Sequence, residues 1–181
     1  MKARLAIGTR ILAKLSAAAF VTLLAGAQSA SADMLLSDLR KVDVGAFPAG
    51  EWSVKKERDR LTIACEKCDG FVAMDLQLSR GPAGTESNIR SGKTTAKTML
   101  DICKQNAVSR GSSCYSIKPA NLKGAVGFVS DVKIADSTYA ATYTIYQDGK
   151  LLLMRNIAGS RKEAARVGKL AFKHIAPQIV R

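Results

Sequence analysis

Residues 61–78 constrain the fold more than any other stretch of this chain. Leu61, Ile63 and Cys65 recur at every second position, and after Cys65-Glu66-Lys67-Cys68-Asp69-Gly70 the alternation resumes at Val72, Met74, Leu76 and Leu78. A period of two on both sides of a glycine-containing corner is the pattern of two half-buried antiparallel strands. The two cysteines of the corner are close enough in sequence for a bridge across a tight turn, whose α-carbons can approach within the ~7 Å a disulfide requires.

How those cysteines are read depends on the compartment. Residues 1–32 carry Lys2, Arg4, Arg10 and Lys14 and no acid, then an apolar run over residues 15–27, then Ala30-Ser31-Ala32 before Asp33. This is the arrangement of a secretory signal peptide with a small-x-small cleavage site. The apolar run is short of the ~20 residues a membrane-spanning helix needs, and no later run is longer. The expectation is therefore a leader over 1–32 and a single exported domain over 33–181 with no transmembrane segment, periplasmic or secreted and bacterial in style.

All four cysteines, Cys65, Cys68, Cys103 and Cys114, follow the leader. An even number in an oxidising compartment points to two disulfides, for which three connectivities exist. Proximity in sequence favours Cys65 with Cys68 and Cys103 with Cys114.

The remaining elements follow from periodicity and turn chemistry. A short amphipathic turn is expected near residues 34–39, and Phe47-Pro48-Ala49-Gly50 breaks it. Residues 52–57 read as a first strand, with Trp52 more in keeping with core than with a ligand platform. Over residues 93–107, Ala96, Met99, Leu100, Cys103 and Ala107 fall on one helical face, which places Cys103 among apolar neighbours. Residues 109–113 read as a loop returning to Cys114. Val126, Phe128, Val132 and Ile134, then Tyr139, Ala141, Tyr143 and Ile145, form two alternating runs. Gln147-Asp148-Gly149-Lys150 carries the Asp-Gly hairpin signal, and the continuous apolar run 151–154 suggests a strand covered on both faces. Ser160-Arg161-Lys162-Glu163 has the form of a capping box opening a helix that Pro177 ends. The fold class expected is α+β: a mostly antiparallel sheet built as hairpin, helix, three-strand meander and C-terminal helix, stapled by disulfides.

On that last helix Ala164, Val167, Gly168, Ala171 and Ile175 share one side, and Lys162, Arg166, Lys169 and Lys173 form a basic stripe opposite. Removing the four basic residues of the leader from the 28 leaves 24 against 15 acids, a net charge of +9. From Lys150 onward eight basic residues stand against one acid, a net of +7. With Arg155 and Arg161 nearby, the stripe is the candidate contact for an anionic partner: an acidic protein, a lipid head group or a polysaccharide. A solvated helix face is the plainer reading of the same residues. Export argues against nucleic acid, as does the lack of aromatic residues interleaved with these cations.

Catalytic signatures are wanting. Gly92-Lys93-Thr94-Thr95 resembles the tail of a phosphate-binding loop, but its upstream glycine position holds Ser87. No Gly-x-Ser-x-Gly elbow is present, His174 is the one histidine, and no cofactor or metal set stands out. The corner at Cys65 and Cys68 leaves one alternative: thiol-redox or copper- or zinc-handling chemistry. A redox Cys-x-x-Cys ordinarily opens a helix whose dipole lowers the first thiol's pKa, whereas here Asp69-Gly70 and a strand follow. The leading expectation is a non-catalytic exported accessory or binding domain.

Overall fold

The computed structural model describes residues 38–48, 50–68, 70–109 and 111–180. The leader expected over 1–32 and most of the turn expected over 34–39 lie outside the described residues; a 3-10 turn occupies Leu39–Lys41. Seven strands follow in one sheet: β1 (Trp52–Lys56), β2 (Arg60–Cys65), β3 (Val72–Arg80), β4 (Ser113–Pro119), β5 (Val126–Ala135), β6 (Thr138–Gln147) and β7 (Lys150–Ala158). The helices are α1 (Thr85–Arg90), α2 (Ala96–Val108), α3 (Arg161–His174) and α4 (Ala176–Ile179). Strand order is β1-β2-β3-β7-β6-β5-β4, and every neighbouring pair is antiparallel. The described residues thus form a single α+β domain of the expected class.

The hairpin over 61–78 is β2 paired with β3, Ile63 opposite Met74 and Leu61 opposite Leu76. All four of these side chains are fully buried on one face of the sheet. Pairing of β3 with β7, Leu76 opposite Met154 and Leu78 opposite Leu152, joins this hairpin to the meander β5-β6-β7. Asp148 and Gly149 have φ of 51° and 73°, the positive values that a two-residue hairpin turn demands. Helix α3 lies on the face that carries Leu61, Met74 and Met154, called here the front face. With α4 and the segment around Leu39, Val42 and Phe47 it completes the core. Trp52 is half-buried and meets the Phe47 ring edge-on at 5.1 Å.

Four expectations are corrected. The loop expected over residues 109–113 gives way at Ser113 to strand β4, an element the periodicity does not announce. Its alternation is broken by a bulge between Cys114 and Ser116, so that Cys114 and Ile117, three apart, share a face. The run 151–154 is covered on one face only: Leu152 and Met154 are buried under α3, while Leu151 and Leu153 on the back face stay half-exposed. At Ser160 half of the capping box forms. The Ser160 hydroxyl accepts from the Glu163 amide at 3.2 Å, but the Glu163 carboxylate turns forward to Arg166 instead of back to the cap. Finally, α3 ends at His174, and Pro177 sits in the first turn of α4, where its missing N–H costs no hydrogen bond.

Candidate functional site

Small residues let α3 sit close on the sheet. Ala164, Val167, Gly168 and Ala171 are buried. A β-carbon at Gly168 would come within 3.1 Å of Tyr143, 3.2 Å of Asn156 and 3.3 Å of Ala141. The Phe172 ring stacks on Tyr143 at 4.6 Å. With one side fixed in this way, the opposite side must face solvent, and Lys162, Arg166, Lys169 and Lys173 are all exposed there. Their eleven-residue span corresponds to ~16 Å of helix.

The charges of this region differ sharply in how free they are. Arg166 is bound to Glu163 at 2.6 Å. That guanidinium holds the Glu163 carboxyl below its ordinary range against partial burial, with Lys162 adding to the effect. Arg161 donates to Asp131 on β5 at 2.6 Å and lies 4.4 Å over the Tyr115 ring, which stacks in turn on Tyr139. Lys162, Lys169 and Lys173 have no ion pair among the described residues. Arg155, expected beside the stripe, points to the back face toward Asp75, which Arg60 and Gln77 also engage. The reason is strand geometry: Arg155 lies between Met154 and Asn156, which face α3, so its own side chain must point away. Of the cations expected near the stripe, three lysines remain free.

The four cysteines form two bridges. Cys65 and Cys68, with α-carbons 5.6 Å apart, close the end of β2. Both are half-buried against the core, and the chain continues into β3, so no helix dipole acts on them. A disulfide offers no thiolate to a metal. His174, exposed at the end of α3, does not join them, and among the described residues no three His, Cys, Asp or Glu side chains cluster as a metal site. Cys103 and Cys114, 6.0 Å apart at their α-carbons, tie α2 to β4.

A second feature had no signal in the sequence. Between α1–α2 and the back face of β4–β6 runs a cleft of about 590 Å³, walled by Met99, Ile102 and Cys103 and floored by Ile117, Phe128 and Val132. Its lining is drawn from positions 85 to 146. Only the strand pairing brings such distant residues together.

The architecture defines a class before it suggests a relative: a small α+β domain with one antiparallel sheet, a C-terminal helix on the front and a bridged helix on the back. Neither a protein-family model nor a curated protein matches the chain. Among solved structures it is similar to the solution structure of cyanobacterial PsbP (CyanoP) from Synechocystis sp. PCC 6803. That match has a TM-score of 0.50 at 14% identity and covers 77% of this chain and 90% of that one. Identity this low makes the likeness one of fold. Among the described residues no helix is long and apolar enough to cross a membrane.

Proposed function

We propose that this protein is an exported, non-catalytic accessory domain that contacts an anionic partner through the outward face of α3. The observation that carries the reading is the contrast in pairing: Lys162, Lys169 and Lys173 are exposed and unpaired among the described residues, while Arg155, Arg161 and Arg166 all face carboxylates. Two disulfides fit an oxidising compartment, and the fold is similar to that of cyanobacterial PsbP. A rigid helix with three free ammonium groups along ~16 Å makes a patch suited to a broad, weakly hydrogen-bonded anionic surface rather than to one small anion. An acidic protein, a lipid head group and a surface polysaccharide share that chemistry.

The test is binding of the exported protein to poly-glutamate, to alginate and to vesicles containing phosphatidylglycerol. Binding to at least one should weaken steeply as ionic strength passes about 0.1 M, where the Debye length is ~10 Å. The triple variant Lys162→Gln, Lys169→Gln, Lys173→Gln should lose that binding with stability changed by less than about 1 kcal/mol, because exposed helix charges contribute little to folding. Equal binding by parent and variant would reduce the stripe to a solvated face. Which of the three surfaces responds identifies the partner class.

A further inference from the structure

Helix α2 turns an apolar face toward a space that it does not fill. Met99, Ile102, Cys103, Asn106 and Ala107 recur at helical spacing and all line the back-face cleft, yet Ala107 is the one side chain that the helix buries. No residue of α1 or α2 belongs to the main hydrophobic cluster. Ile102 and Ile134, at 46% and 44% exposure, are two of the six large hydrophobic side chains left open among the described residues, and both line the cleft. Cys103 and Cys114 line it as well, so the bridge between them ties the helix wall to the sheet floor. At about 590 Å³ the space falls within the roughly 300–1,000 Å³ common for small-molecule sites.

The lining decides the chemistry of the occupant. Among the described residues Lys133 is its one charged member, and the Lys133 ammonium is already held by Asp136 at 2.9 Å. An ion placed between apolar walls with no free counter-charge would lose hydration that nothing there replaces. The cleft therefore selects an uncharged molecule. Its polar groups gather on β6, where Thr144 and Tyr146, two apart on one strand, share the face that floors the cleft. The Tyr146 hydroxyl has no hydrogen-bond partner among the described residues, and burial pushes this phenol above the ordinary tyrosine range, which keeps it an O–H donor at neutral pH. An apolar space with a few convergent polar groups is the general form of a small-molecule site.

We propose that the cleft binds one uncharged, mainly apolar small molecule carrying a carbonyl oxygen, its body between α2 and the floor of β4–β6 and its oxygen accepting a hydrogen bond from the Tyr146 hydroxyl. Only non-covalent contacts are involved.

A dye-displacement titration tests this. Nile red, an uncharged dye whose fluorescence rises in apolar surroundings, is bound to the disulfide-intact protein and competed with three molecules on one tricyclic frame: fluorenone, fluorene and fluorenone carboxylate. Saturable dye binding with one site per chain is expected, displaced best by fluorenone, less well by fluorene, which lacks the oxygen, and least by the carboxylate. Tyr146→Phe removes only the hydroxyl and should reduce the preference for fluorenone over fluorene by about threefold or more, the scale of one hydrogen bond. Ser130→Trp fills the floor and should weaken dye and fluorenone alike by about tenfold or more. If the tryptophan variant fails to fold, Tyr146→Phe decides alone. Sedimentation velocity covers the other occupant of an apolar face: a dimer that Ile102→Asp disperses, in place of dye binding, assigns the face to a second copy of the chain and overturns the proposal. Absence of saturable dye binding, stronger displacement by the carboxylate, an unchanged fluorenone preference in Tyr146→Phe, or unchanged affinity in folded Ser130→Trp protein overturns it as well.

Discussion

Gly127 is a glycine because the next strand leaves no room for anything else. A β-carbon there would collide with the Thr144 carbonyl oxygen and stand 3.0 Å from the Ile145 α-carbon, both backbone atoms of β6 that cannot yield without breaking the ladder. Gly168 is crowded too, but by side chains: the Tyr143 ring, the Asn156 amide and the Ala141 methyl. Side chains can shift by tenths of an ångström where backbone cannot. Gly168→Ala should therefore cost about 1–3 kcal/mol, the usual range for overpacking, and Gly127→Ala more than that, read from urea midpoints of the two variants. Equal losses would mean that β5 and β6 can separate locally. Asn156 explains part of the constraint at Gly168. It is fully buried beneath α3, donating to the Ala141 carbonyl at 2.8 Å and the Met154 carbonyl at 3.3 Å. Its Oδ1 has no partner among the described residues.

At the scale of elements, α1 shows how a weak segment is held. Its six residues bury no side chain, and its N-cap is Gly84 with no side-chain cap. What anchors it is Glu86, which accepts from the Gly149 amide at 3.0 Å and from Arg90 at 2.7 Å, while Arg90 also donates to the Gly124 carbonyl. Burial pushes the Glu86 carboxyl up, but the Gly149 amide and the Arg90 guanidinium outweigh it, and the folded pKa lies below the ordinary value. A depressed folded pKa means stabilisation that is complete above the unfolded glutamate range and is lost as pH falls through the folded value. Glu86→Gln should accordingly be less stable than the parent at about pH 7, with the gap closing as pH falls below the ordinary glutamate range. A gap independent of pH would show that the amide replaces the carboxylate's contacts without its charge mattering. This anchor was not legible in the sequence, because Glu86 meets Gly149 across 63 positions. Legible instead were elements with a sustained period: β2 and β3, and within the meander the stretch of β6 from Ala141 to Gln147 and of β7 from Leu152 to Ala158, where buried positions alternate. Strand β4 escaped because one bulge residue shifts its register. The α3 stripe was found as a pattern, but which of its cations are free depends on Glu163 and Asp131, whose pairings only the fold decides.

Across the whole molecule, stability is unevenly divided between the two faces of the sheet. The front holds the main hydrophobic cluster, from Leu39 through Ile63, Met74 and Met154 to Ile179, while the back buries few apolar side chains, Phe128 and Ala107 among them. The back holds α1 and α2, with one covalent tie between Cys103 and Cys114 and one polar anchor at Glu86. Regions with few buried apolar contacts open by local rather than global unfolding. A bridge across 11 positions would contribute about 2–3 kcal/mol by loop entropy if it closed a loop that opens only when the whole domain unfolds. If α2 opens by itself, that contribution appears in the local equilibrium, and the global melting temperature moves less than the loop estimate implies. Native-state hydrogen exchange distinguishes the cases. In the intact protein, amides of α2 should exchange well before those of β3, β6 and β7. Pairwise replacement of Cys103 and Cys114 by serine should speed the α2 amides further and leave the central strands unchanged, with only a small shift in global melting. Uniform acceleration along the chain, or α2 amides protected as strongly as β7 in the parent, would show that the two faces unfold as one unit and that the bridge acts on the whole domain.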